Sequence, residues 1–223
     1  AEAPSHCIPF PSYEYHSFQA GDYTIVHKHL GIKLPDPPIS QGKDERLSSL
    51  LASTQASKDD MFCMPHHIGY KQGYRGIGWE SYHPEASPII EIVSIHGSAE
   101  SLEASPKYLH TMGPRSGMNT MQGGLAQGFR FGVAGSSDHH NASPGSYGCG
   151  RTGLWATEKT REAIWAGLCN RQTLALTGDP IELMVFLNDH PLGSGFDYPG
   201  ERLVSLDAYV AGYTAIDRIE ILK

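Results

Sequence analysis

Three places in the chain carry side chains able to hold a metal ion. The adjacent pair His66 and His67 follows the run "MFCMP"; Glu91 and His96 lie in and just after "IIEIVS"; Asp138 and His140 close "FGVAGSSDHH", with His139 between them. Any one of these is as readily a polar turn residue or a solvated histidine, so the argument rests on their joint placement. Neutral imidazole is the commonest side-chain ligand of transition metals. A mixed histidine and carboxylate set suits zinc, manganese or iron, whereas calcium and magnesium take oxygen-only shells. Glu91 adds its own reason: a carboxylate among Ile89, Ile90, Ile92 and Val93 needs a cation or strong hydrogen bonds if that run is buried. A carboxylate that bridges permits more than one ion. Such ions polarise a phosphoryl or acyl oxygen and supply a hydroxide at neutral pH, so the implied chemistry is hydrolysis.

These groups converge only if the elements beneath them are adjacent strands. After an irregular lead, "DYTIVHKHL" (Asp22 to Leu30) reads as a strand, "KDERLSSLLASTQA" as a helix, and "MFCMP" (Met61 to Pro65) and "PIIEIVS" (Pro88 to Ser94) as buried strands. "MNTMQGGLAQG" predicts a helix weakened by Gly123 and Gly124, leading into the strand "FRFGVAGSS". "TEKTREAIWAGLCNRQ" is the clearest helix, with Thr160 as N-cap and Glu162 in the first turn. This alternation favours an α/β layer or barrel with a parallel sheet, whose strands present ligands at their carboxyl ends. The tail differs: "TLALT", "IELMVFLND", "LVSLDAYVAGY" and "IDRIEILK" read as successive antiparallel strands. The expected organisation is an α/β metal-binding domain over 1–177 and an antiparallel β appendage over 178–223.

Bulk properties exclude several functions. The formal net charge of -7 argues against nucleic acid as a partner, because backbone binding needs a cationic surface. The four cysteines are far apart with no C-x-x-C pair, which fits reduced thiols and a cytoplasmic setting. No apolar run approaches the roughly 20 residues of a membrane span, and the start lacks a secretory signal, although one could have been removed before residue 1. G-x-S-x-G, Walker and G-x-G-x-x-G patterns are absent. Cys63, inside a predicted buried strand, is read as a core residue rather than a nucleophile, and Trp155 and Trp165 as core.

The segments "MPHHIGY", "IIEIVSIHGSAES", "FGVAGSSDHHNASPGSYG" and "TREAIWAGLCNRQTLALTGD" together resemble the second half of a PHP-type (polymerase and histidinol phosphatase) metal-dependent hydrolase, more narrowly an uncharacterised bacterial branch of that superfamily. The resemblance runs from about residue 10 to the end. It implies a distorted β/α barrel that holds up to three divalent ions and hydrolyses a small-molecule phosphoester. By position it implies a ligand at His66 or His67, Glu91 as bridging carboxylate, His96 on the following loop, and Asp138 and His140 as the closing D-x-H pattern. Glu91 and Asp138 would then sit at the catalytic centre.

The family's opening H-x-H pair has no counterpart here. His27 and His29 in "VHKHLG" mimic it, since alternate strand residues share a face, but their position matches a middle strand and they are read as a polar strand face. The expectation is therefore a C-terminal fragment carrying a partial PHP-like barrel, whose uncovered edge would favour a homo-oligomer. Lys71 and Arg75 in "YKQGYRGIGWE" could hold a phosphate near the ions, with Arg75 the candidate substrate contact and Arg115 of similar standing; the rest of that loop reads as aromatic packing. Two functions remain. One is a metal-dependent phosphoesterase; the other is a catalytically incomplete metal-binding module that assembles with another chain or a missing N-terminal half.

Overall fold

The computed structural model describes residues 7–32, 60–107, 112–141, 143, 146, 148–197, 200 and 203–221. The lead residues form a strand, β1 (Ser12–Ser17), which turns into β2 (Gly21–His27). Their antiparallel register sets His16 opposite Asp22. In "SYEYHS" the period-2 alternation sends Tyr15 into the core and leaves Glu14 and His16 together on the other face. Gly21 closes the turn at φ +94, and a Cβ there would stand 2.8 Å from the Gly76 carbonyl oxygen. Only glycine allows the hairpin and the 73–78 loop to meet this closely. β3 (Met61–Pro65) pairs with the far side of β2, also antiparallel.

β4 (Ile89–Ser94) is the middle of a second sheet, with β5 (Gly97–Ser98) antiparallel on one side. Helix α1 (Met121–Ala126) leads to β6 (Gly132–Gly135), which runs parallel to β4 with an irregularity between Glu91 and Val93. Successive β4 residues face two cores. Ile90 joins Ile68, Tyr70, Ile77 and Trp79, while Ile89 packs with Phe62, Ala134 and Trp165. β7 (Arg151–Leu154), α2 (Arg161–Cys169) and β8 (Thr173–Leu176) follow. The hydroxyl of Thr160 accepts from the Ala163 N–H at 3.2 Å, capping α2. β9 (Ile181–Leu187), β10 (His190–Pro191) and β11 (Leu206–Gly212) make a last sheet in the order β10-β9-β11. It is tied to the rest where Trp155 Nε1 donates to the Leu183 carbonyl at 2.7 Å.

The expected α/β architecture, a partial distorted PHP-like β/α barrel, is not what forms. The described residues make small antiparallel and mixed sheets with two short α-helices and no closed barrel, and β4 with β6 is the parallel pair among the named strands. One reason is local. Gly117–Asn119 form a 3-10 turn and Thr120, in extended conformation, caps the helix by accepting the Gly123 N–H, so the expected helix over 118–128 shrinks to six residues. Another is the turn after α2. Arg171 adopts φ 60 and the Gln172 N–H returns to the Gly167 carbonyl at 2.9 Å, so the chain reverses at once and β8 runs antiparallel to β7.

One expectation falls where no structure is described and two others change. The helix read in "KDERLSSLLASTQA" lies outside the described residues. The lead is a strand rather than irregular, and residues 216–221 of "IDRIEILK" form no strand. Among the described residues no helix is long and apolar enough to cross a membrane.

Candidate metal centre

The β1–β2 hairpin and the segment after β3 build one side of the site. Asp22 is fully buried, and its carboxylate is engaged on both oxygens. His16 Nδ1 is hydrogen-bonded to Oδ1, while Arg75 Nη1 donates to Oδ2 at 2.9 Å. The same Oδ2 lies 3.5 Å from His67 Nε2. Backbone bonds fix this arrangement, because His66 N donates to the Asp22 carbonyl at 3.1 Å and Asp22 N donates to the Arg75 carbonyl at 3.3 Å. Across β1, Glu14 Oε1 lies 3.5 Å from His66 Nε2.

The second sheet closes the other side. Asp138, after β6, places Oδ2 at 3.0 Å from His96 Nε2 and 3.8 Å from His66 Nδ1. The imidazoles meet in sequence, His66 and His67 tilted at 55° with centroids 4.0 Å apart, and His67 and His96 edge-to-face at 5.6 Å. Glu91 lies beneath them, fully buried. It accepts the His67 N–H at 2.9 Å on Oε1 and the Ser136 hydroxyl on Oε2. His67, Arg75 and Asp138 all hold left-handed backbone at φ 33, 78 and 47. Such conformations cost of order 1–3 kcal/mol each in a non-glycine residue and gather at functional sites; here three meet in one cluster.

The electrostatics follow from burial and from these pairs. Burial alone would lower the His66 imidazole, but the Asp138 and Glu14 carboxylates outweigh it and push its pKa up to about 10. His67 has no such support, and burial with the neighbouring His66 charge pushes it down to about 2. Asp138 is raised by burial but held well below the ordinary carboxylate range by His66 and His96. Contact with His66 lowers Glu14, while burial raises Asp22 and Glu91. Without a metal the site therefore favours a proton on His66 and a neutral ring at His67.

These residues fit a divalent transition ion. Donor atoms of Glu14, Asp22, His66 and His67 all lie within 4.8 Å of one another, and all but Glu14 are buried. His66 Nε2, His67 Nδ1 and His96 Nδ1 are buried without a hydrogen bond of normal geometry, and a partner such as a cation is what such nitrogens lack. Two imidazoles with two carboxylates is the donor chemistry of zinc, manganese or iron.

Of the residues named from sequence, His66, His67, Glu91, His96 and Asp138 come together, and Arg75 sits beside them on Asp22. Glu91, His96, Asp138 and His140 lie outside the group of four donors, and the His140 side chain is exposed. Arg115 donates instead to the carbonyls of Leu102, Ser98 and Ser101. His29 pairs with exposed Asp60, and His27 stacks on Tyr13. Cys63 and Trp165 are buried in the core. Sequence reasoning missed Glu14, His16 and Asp22. For Glu14 and His16 the signal was present in "SYEYHS", where they alternate with tyrosines just before a turn; Asp22 lies beyond that turn in β2.

No protein-family model and no solved structure matches the chain. The chain is 25% identical over 210 residues to an uncharacterized protein of Chlamydia trachomatis serovar D, a match covering 86% of this chain and 34% of that protein. It is 26% identical over 213 residues to an uncharacterized protein of Chlamydia muridarum, covering 89% of this chain and 34% of the relative. The chain thus spans about a third of the length of these relatives.

Proposed function

We propose that this protein is a metal-dependent hydrolase acting on phosphoesters, of the PHP type that its motifs resemble. The observation that carries the proposal is the buried convergence of Asp22, His66 and His67 with Glu14 within 4.8 Å. A divalent ion held there would polarise a phosphoryl oxygen and lower the pKa of a water. His67 is already neutral and needs no proton removed to donate. Glu91 holds the His67 backbone in its left-handed turn, and Asp138 orients His66 and His96. Arg75, 40% exposed, stands at the edge of the group as the phosphate contact.

The test has two stages. Elemental analysis of protein purified without added ions, followed by titration with zinc and manganese, should give stoichiometric binding. Hydrolysis of an aryl phosphate with added manganese should then give turnover that Asp22→Asn abolishes. A chain that binds no ion would sink the reading. Stoichiometric metal without turnover would favour the second reading, a metal-binding module completed by another part. That reading draws support from the chain spanning about a third of its relatives' length.

A further inference from the structure

The environment of Arg75 carries a consequence for how the site is loaded. Asp22 Oδ2 is shared: Arg75 Nη1 donates to it at 2.9 Å, and His67 Nε2, in the proposed donor group, lies 3.5 Å away. The other oxygen is held by His16. A divalent ion held between Asp22 and His67 would use the oxygen that the guanidinium now occupies, and two cations on one carboxylate oxygen repel each other. The Arg75 backbone does not need to move for this conflict to resolve. Its carbonyl is anchored by the Asp22 N–H at 3.3 Å, and the next residue, Gly76, is packed so tightly that a Cβ would stand 1.5 Å from the Tyr70 carbonyl oxygen. The side chain, by contrast, is 40% exposed and can swing outward on its flexible stem.

We infer that Arg75 is an internal stand-in cation: it neutralises Asp22 while the site is empty, and metal binding expels it into the position where it captures the anionic substrate. The inference rests on the proposed metal site and adds an order of binding, ion first and phosphate second. Displacement also couples the two ligands thermodynamically, because a guanidinium freed by the ion no longer has to be stripped from Asp22 by the phosphate. Coupling is reciprocal, so phosphate should tighten the ion as much as the ion tightens phosphate.

The test uses calorimetric titration of zinc or manganese, and then of inorganic phosphate, into wild-type protein and two variants. Arg75→Met removes the competing charge at similar length, and Arg75→Lys keeps it. The Met variant should bind the ion about tenfold more tightly than wild type, within the roughly 5- to 150-fold span of such couplings, and should lose phosphate binding. The Lys variant should stay near wild-type metal affinity, which also guards against a folding defect at this left-handed position. Metal-loaded wild type should bind phosphate at least tenfold more tightly than the metal-free form. If Arg75→Met binds the ion no more tightly than wild type, or wild type binds phosphate equally with and without the ion, the stand-in role is wrong while the metal site survives. If wild type and both variants bind no ion, the metal site itself is wrong and this inference falls with it.

Discussion

The backbone N–H of His67 donates to Glu91 Oε1 at 2.9 Å, across 24 positions of sequence. This bond joins the two sheets at the centre of the site, because His67 follows β3 and Glu91 belongs to β4. Ser136, following β6, supplies the second donor. Glu91→Ala strands both donors, the His67 N–H in a buried space and the Ser136 hydroxyl in a part-buried one. Each unsatisfied buried group costs about 1–3 kcal/mol, so a loss of about 3 kcal/mol is expected. Glu91→Gln keeps an acceptor for the His67 N–H and should lose less than half of that. Urea denaturation of the metal-free proteins checks both values, and equal losses would show that the hydrogen bonds contribute little.

The two adjacent histidines should give opposite limbs to the pH dependence of metal-free stability. His67 is depressed to about 2, so the unfolded chain binds its proton more readily. Its contribution is fully present above about pH 6.5 and is lost as pH falls towards 2. His66 is raised to about 10. Its contribution is fully present below about pH 6.5 and is lost as pH rises through 10. His67→Gln should flatten the acid limb and His66→Gln the alkaline one. The raised Asp22 and Glu91 carboxyls add slope above their ordinary range and, like His67, Glu14 and Asp138, they feel the His66 charge, so His66→Gln also alters their limbs while His67→Gln is the cleaner comparison. Thermal melts across pH in chelator decide it. Parallel displacement of the whole curve in both variants would contradict the assignment.

Metal binding should depend on pH in the direction the His66 proton dictates. An ion that uses His66 must displace a proton held up to about pH 10. Between pH 7 and 9 the apparent Kd should therefore fall about tenfold per unit while one proton is released. Titration in buffers of different ionisation enthalpy counts that proton. A pH-independent Kd would remove His66 from the ligand set.

The site was more legible in the sequence than the architecture around it. His66, His67, Glu91, His96 and Asp138 could be named because a carboxylate inside "IIEIVS" and polar clusters at strand ends are chemically expensive wherever the strands go. Strand direction was not legible, since a short apolar run such as "MFCMP" carries no mark of whether its neighbour runs parallel or antiparallel. β3 turned out to pair antiparallel with β2. That same pairing brought Asp22 and, through β1, Glu14 beside His66, so the error in topology and the failure to name these two residues have one cause. Within the D-x-H pattern Asp138 meets His66 and His96, while the His140 side chain is exposed.

Gly124 gives a test of packing against propensity. In an isolated helix Gly→Ala gains about 1 kcal/mol, yet here the added methyl would lie 2.3 Å from Trp79. Trp79 is held by stacking on Phe129 at 5.0 Å and by an Nε1 bond to the Met118 carbonyl at 2.7 Å, so it cannot yield cheaply. Overpacking of this kind costs about 1–3 kcal/mol, and Gly124→Ala should lower the Tm with a change in tryptophan emission. A higher Tm would mean that the helix, not the indole, governs this corner.

Asp138 and His140 separate by the same reasoning about contact. Asp138→Asn should preserve the backbone, because asparagine tolerates left-handed φ, while removing the charge that His66 and His96 share at 3.8 and 3.0 Å. Without that charge His66 loses much of its proton affinity, and the pH dependence of metal binding should weaken together with ordering of the His96 ring. Loss of a group that orients ligands in this way lowers metal affinity about 10- to 100-fold. His140→Ala, at an exposed position outside the donor group, should leave stoichiometry and affinity within about twofold of wild type, since surface substitutions rarely perturb stability by more than about 0.5 kcal/mol. Comparable losses in the two variants would place His140 in the coordination sphere and require the loop after Asp138 to fold inward when the ion binds.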